Sequence, residues 1–154
     1  MVALWFFAQP SKTDVRAIRP VDPTQQLVDF TRANLRAPVP HTPVGYTSTV
    51  SAFDVTTGLR IGYVTPQRQY AEVLATAGPS EPFVAEQTLK GALLRSVDVA
   101  GAPWELRQGA DGHLSLDRVF GKITVVVGGV RQSAALPELV QLASTVRPDG
   151  VIYG

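Results

Sequence analysis

The strongest constraint on this chain is a succession of short apolar runs cut by turn residues at similar intervals. Leu59, Ile61 and Tyr63 alternate with Arg60 and Gly62, the period-2 pattern of a strand with one buried face. Tyr46–Val55 precedes this run across Thr56-Thr57-Gly58, which reads as a hairpin connection. Thr65-Pro66-Gln67-Arg68 then turns the chain into a third strand, Gln69–Thr76. The rhythm returns with Val97–Val99, Trp104–Arg107, Leu114–Val119 and Ile123–Val127. Ala100-Gly101, Gly109-Ala110-Asp111-Gly112 and Gly121-Lys122 separate them. Links this short join antiparallel neighbours, so an antiparallel sheet of about six to eight strands is expected.

Helices are expected at three places. Asp22 can cap, Pro23 suits a first helical position, and Gln25 stands where a capping box needs it. The helix they open covers about residues 23–35, with Leu27, Val28, Phe30 and Leu35 on one arc. A short helix is expected at about 81–89, with Ser80 as its cap. The last covers about 134–146 and gathers Leu136, Leu139, Val140, Leu142, Ala143 and Val146 on one face. Pro137 is tolerable there because it falls in the first turn. Antiparallel strands with helices on one face make an α+β domain.

The first eight residues, Met1 to Ala8, form an unbroken apolar run with Trp5, Phe6 and Phe7 next to polar Gln9-Pro10-Ser11-Lys12-Thr13. A helix of that run would reach only about 12 Å, against roughly 30 Å of bilayer hydrocarbon. No basic residue precedes it and no small-x-small cleavage site follows, unlike a secretory signal. Aromatic residues at that border match a membrane-interface belt. Residues 1–10 therefore read as the last turns of a transmembrane helix and 11–13 as a linker. Residues 14–154 read as one domain, with a short strand expected at Asp14–Arg19.

Composition removes several functions. Fourteen basic and thirteen acidic residues leave a formal charge of +1, too little to favour nucleic acid. The chain has no cysteine, which excludes disulfides, thiolate metal sites and cysteine nucleophiles. Its two histidines, His41 and His113, lack metal-ligand spacing. No G-x-S-x-G is present, and His113, Ser115 and Asp117 stand about 6.8 Å apart in turn along a strand, too far for a triad. Gly128-Gly129 fits neither phosphate-loop pattern and reads as a tight strand-to-helix link. Glu81 and Glu86 flank the short helix, where a paired-carboxylate site competes with simple anchoring of the helix. No catalytic residue, metal or cofactor is assigned.

Arg60, Tyr63, Arg68 and Tyr70 lie on neighbouring strands, and aromatic residues beside arginines resemble a base-stacking platform. Tyr63 shares its face with Leu59 and Ile61, which places it in the core instead. The candidate functional patch is Arg60, Tyr63, Tyr70, Glu86, Gln87 and Trp104.

Several of these segments occur in a recognisable order. Arg19-Pro20-Val21-Asp22-Pro23, Leu59-Arg60-Ile61-Gly62-Tyr63-Val64-Thr65-Pro66, Gln69-Tyr70-Ala71, Phe83-Val84-Ala85-Glu86-Gln87-Thr88 and Trp104-Glu105 resemble the actinobacterial domain of unknown function number 4245. The Val-rich strand ending at Gly128 and the closing amphipathic helix extend the resemblance over roughly residues 12–146. It implies a single-pass membrane protein with a short cytoplasmic N-terminus and an extracytoplasmic C-terminal domain. No activity travels with it. The expectation is a non-catalytic module at the cell membrane that binds an envelope protein or a small apolar ligand. The competing expectations are an envelope hydrolase using Glu86 or Glu105, and a lipid-binding carrier with a large apolar cavity.

Overall fold

A computed structural model describes residues 18–148. The apolar run 1–10, the linker 11–13 and most of Asp14–Arg19 lie outside the described residues. Ile18 and Arg19 belong to no regular element. Among the described residues, no helix is long and apolar enough to cross a membrane.

The chain runs α1 (Thr24–Ala33), β1 (Thr47–Asp54), β2 (Gly58–Val64), β3 (Tyr70–Thr76), α2 (Ser80–Gln87) and β4 (Ala92–Val99). It continues through β5 (Ala102–Gln108), a single 3-10 turn, β6 (Leu114–Phe120), β7 (Ile123–Gly128) and α3 (Leu136–Ser144). The seven strands form one sheet in the order β1-β2-β3-β7-β6-β5-β4. All neighbours are antiparallel. Two meanders, β1-β2-β3 and β4-β5-β6-β7, thus join through β3 and β7 at the middle. The fold is α+β with two longer helices and one short one, as the patterning implies.

Local chemistry explains the turns. After β1, the Asp54 carboxylate accepts from the backbone N–H of Thr56 at 2.7 Å and of Thr57 at 3.2 Å, a side-chain mimic of a backbone turn. Gly58 then takes φ +103, and a Cβ there would stand 2.2 Å from the Ala75 carbonyl oxygen. Only glycine fits both demands.

The register sets the two faces of the sheet. Leu59, Ile61 and Tyr63 on β2 stand level with Ala75, Val73 and Ala71 on β3. Val125 and Val127 on β7 and Leu116 on β6 carry the same face onward. Trp104 and Leu106 extend it on β5, and the whole row is buried with Leu27, Phe30, Leu139 and Leu142 from α1 and α3. Phe30 meets Phe53 edge-on at 5.6 Å, and Trp104 meets Phe120 at 5.8 Å, the geometry aromatic rings prefer.

Five details depart from the patterning. Asp22 accepts from the Thr24 N–H at 3.0 Å and its hydroxyl at 2.6 Å, but Pro23 takes the N-cap position in place of Asp22 and the helix begins at Thr24. Gln25 bonds forward to Asp29 at 2.9 Å instead of closing a capping box. Leu35 is 84% exposed, because α1 ends at Ala33 and Asn34 turns extended. Ser80 is the first residue of α2, not its cap. Finally, β4 begins at Ala92, five positions before the expected Val97. A bulge between Leu93 and Arg95 breaks its alternation, and Ala92 to Ser96 are exposed whichever way they point, so no apolar period marks them.

Candidate functional site: the charged face of the sheet

The face opposite α1 and α3 is built differently. It presents Arg60 on β2, Tyr70, Glu72 and Leu74 on β3, Val126 and Gly128 on β7, Ser115 and Asp117 on β6, and Glu105 and Arg107 on β5. Among the described helices only α2 packs on this side, over β3 and β7.

Two carboxylates are buried on it. The Glu72 side chain is 2% exposed, and Arg60 Nε donates to its Oε2 at 2.6 Å. The Tyr70 hydroxyl donates to the same oxygen at 2.8 Å. Glycines make the room. A Cβ at Gly62 would stand 2.1 Å from the Tyr70 hydroxyl, and one at Gly129 would stand 2.5 Å from Glu72 Oε1. The Glu72 carboxylate holds the Arg60 guanidinium above its ordinary pKa. Burial, reinforced by the bond to Glu72, pushes the Tyr70 phenol up as well.

The second carboxylate, Asp117, accepts from Arg107 Nε at 2.7 Å. Arg107 also donates from Nη2 to Glu105 Oε2 at 3.3 Å and from Nη1 to the Gly91 carbonyl at 3.4 Å. Glu105 and Asp117 stand directly opposite each other on adjacent strands. Burial raises the pKa of Asp117 against the opposing pull of Arg107. Above these groups, a cleft of about 450 Å³ opens between α2 and strands β5 and β6, with Glu81, Val84 and Lys90 on its rim.

Lys90 owes its place to an unusual turn. Leu89 and Lys90 both take φ 56, a left-handed pair that disfavours side chains by about 1–2 kcal/mol per residue. Thr88 secures the turn, donating to the Val84 carbonyl at 2.7 Å and accepting from the Gly91 N–H at 3.0 Å. The Lys90 N–H closes it on the Ala85 carbonyl at 2.7 Å. The turn rests against the end of β5, and a Cβ at Gly109, the residue after that strand, would stand 2.2 Å from the Thr88 carbonyl oxygen.

The six residues of the expected patch do not form one site. Arg60 and Tyr70 meet, at Glu72. Tyr63 and Trp104 lie on the opposite face, both buried in the core. Glu86 is exposed on α2 and accepts from Gln87 Nε2 at 3.1 Å. Neither lines the cleft. His113 Nδ1 lies 3.1 Å from the Ala110 carbonyl, while the buried Ser115 hydroxyl has no partner among the described residues. Among the described residues no group of histidine and acidic side chains could hold a metal ion.

Glu72 and Arg107 carry no local signal of a site in the sequence, and Asp117 stands out there only as a member of the rejected triad. Glu72 sits in Tyr-Ala-Glu-Val-Leu-Ala-Thr, where the apolar neighbours signal a strand but not which way the lone acid points. The one available signal was the pairing of each acid with an arginine a hairpin away.

The family model described as Protein of unknown function (DUF4245) matches residues 1–146. No curated protein matches the chain, and no solved structure does.

Proposed function

Given that the chain belongs to the DUF4245 family, we propose that it is a membrane-tethered, extracytoplasmic module of an actinobacterial cell envelope, without catalysis, that binds another envelope protein. The apolar run Met1–Ala8 with its border aromatics supports the tether. One observation carries the binding role: among the described residues β4 is an unpaired sheet edge, exposed on both sides from Ala92 to Ser96. Leu93 is 54% exposed and Leu94 51%, and unpaired edges of that kind recruit added strands. The opposite edge differs. There the Val21 N–H bonds to the Ser48 carbonyl at 2.8 Å and the Ser48 hydroxyl bonds to Val21, closing part of β1.

The occupant that fits β4 is an extended segment of the partner, paired along its backbone and placing an apolar side chain over Leu93. The space between the sheet and α1 and α3 is filled by Trp104, Tyr63 and Phe30, which supports surface binding over carriage of a lipid inside.

A photo-crosslinking residue at Leu93 in the native membrane tests this, with one at exposed Val55 as control. The reading expects a single adduct from Leu93 that disappears in Leu94→Lys. Equal adducts from both positions overturn it. Reporter enzymes fused to the C-terminus test topology, and activity from a cytoplasmic reporter alone contradicts it.

A further inference from the structure

We propose that the cleft between α2 and strands β5 and β6 binds a small zwitterion of the amino-acid or dipeptide class, its carboxylate on Lys90 and Arg107 and its ammonium on Glu81 and Glu105.

The charges of the cleft are divided in an informative way. Arg107 has five N–H donors, and its three named bonds go to Asp117, Glu105 and Gly91. Two N–H groups remain on a guanidinium whose position is already fixed, and a fixed fork suits a carboxylate. Among the described residues, the ion pairs are Arg60–Glu72, Arg107–Glu105 and Arg107–Asp117. Lys90 therefore shares the cleft with Glu81 and Glu105 without pairing to either.

A purely anionic ligand would meet Glu81 and Glu105, and a purely cationic one Lys90 and Arg107. A ligand with both signs satisfies all four. The cleft volume of about 450 Å³ falls within the range of small-molecule sites. The strained Leu89-Lys90 pair adds a second sign of a built site, since such conformations persist where surrounding structure enforces them and concentrate at ligand clamps. Gly109, just past β5, is what lets the chain approach the turn this closely.

The test is a titration of the full chain with L-alanyl-L-alanine, followed by amide NMR shifts. Shifts are expected at Lys90, Gly91, Glu105 and Arg107. The N-acetylated dipeptide, lacking the ammonium, and the dipeptide amide, lacking the carboxylate, should each bind about tenfold more weakly, the worth of about 1.4 kcal/mol. Lys90→Gln should erase discrimination against the amide, and Glu105→Gln discrimination against the acetylated form. Leu94→Lys should leave dipeptide binding unchanged, which separates this site from the β4 edge. No shifts at millimolar dipeptide, or equal binding of the capped forms, overturns the assignment.

Discussion

The two faces of the sheet solve burial in opposite ways. Under α1 and α3 the strands present Leu59, Ile61, Val73, Val125, Val127 and Leu116, and the space is closed by aromatic and aliphatic packing. On the other face the strands bury two carboxylates, and each is held by an arginine from the neighbouring strand, offset by one alternate position. Arg60 stands level with Leu74 and reaches Glu72. Arg107 stands level with Ser115 and reaches Asp117. The two pairs then diverge. Tyr70 and Gly129 crowd the two oxygens of Glu72, while Asp117 lines the cleft. Identical pairing chemistry therefore yields a closed structural clamp in one half of the sheet and a reachable site in the other.

The contrast makes graded predictions. Trp104→Ala empties the helix-covered face and should lower stability by about 3–5 kcal/mol in urea unfolding. If the loss is under about 1 kcal/mol, Trp104 is not a core residue. Glu72→Ala strips the acid from the closed clamp, and because Arg60 remains partly solvated the expected loss is smaller, about 2–3 kcal/mol. Glu72→Gln should recover part of it by keeping an acceptor for Tyr70.

Next in size is Gly129→Ala. Gly129 takes φ +85 and lies against Glu72, so the substitution should cost about 1–2 kcal/mol. Part of that loss should disappear in a Glu72→Ala background, since the clash with Oε1 has gone, while the strain that φ +85 puts on any side chain stays. Additive losses in a double-mutant cycle would show that the glycine acts through its backbone angle alone.

The smallest effect concerns Asp117 and depends on pH. Its pKa in the folded chain is raised above 3.8, so the folded state binds the proton more tightly than the unfolded one. The group's favourable contribution is present in full below the unfolded value and is lost as pH rises through the raised folded value. Denaturant midpoints of the native chain should therefore fall, relative to Asp117→Asn, as pH rises from about 3.8 toward neutrality. Parallel profiles would mean that Arg107 cancels the effect of burial.

Much of the fold was readable from local patterns. β2 announces itself because Leu59, Ile61 and Tyr63 alternate with Arg60 and Gly62, and α3 because its apolar residues share one arc. β4 was readable only at its end, since Ala92 to Ser96 are exposed on both sides and have no apolar period to display. Leu35 was misplaced because its apolar character fits the helical arc, while the extended Asn34 ends the helix before it. The candidate site was half visible. Arg60 and Tyr70 could be selected by type and proximity. Their common partner Glu72 could not, because the direction of a lone acid in an apolar strand depends on register.

By itself, then, the amino-acid order determined the α+β class, the positions of the tight turns and the presence of two successive runs of strands. These follow from period-2 burial and turn chemistry, which act within a few residues. Only the tertiary structure decided that β3 lies beside β7 and β4 at the edge of the described sheet, and that Arg107 reaches Asp117. A period-2 pattern says that one face of a strand is buried. It carries no information about which distant strand lies alongside, and that pairing chooses the partners of every charged side chain on the other face.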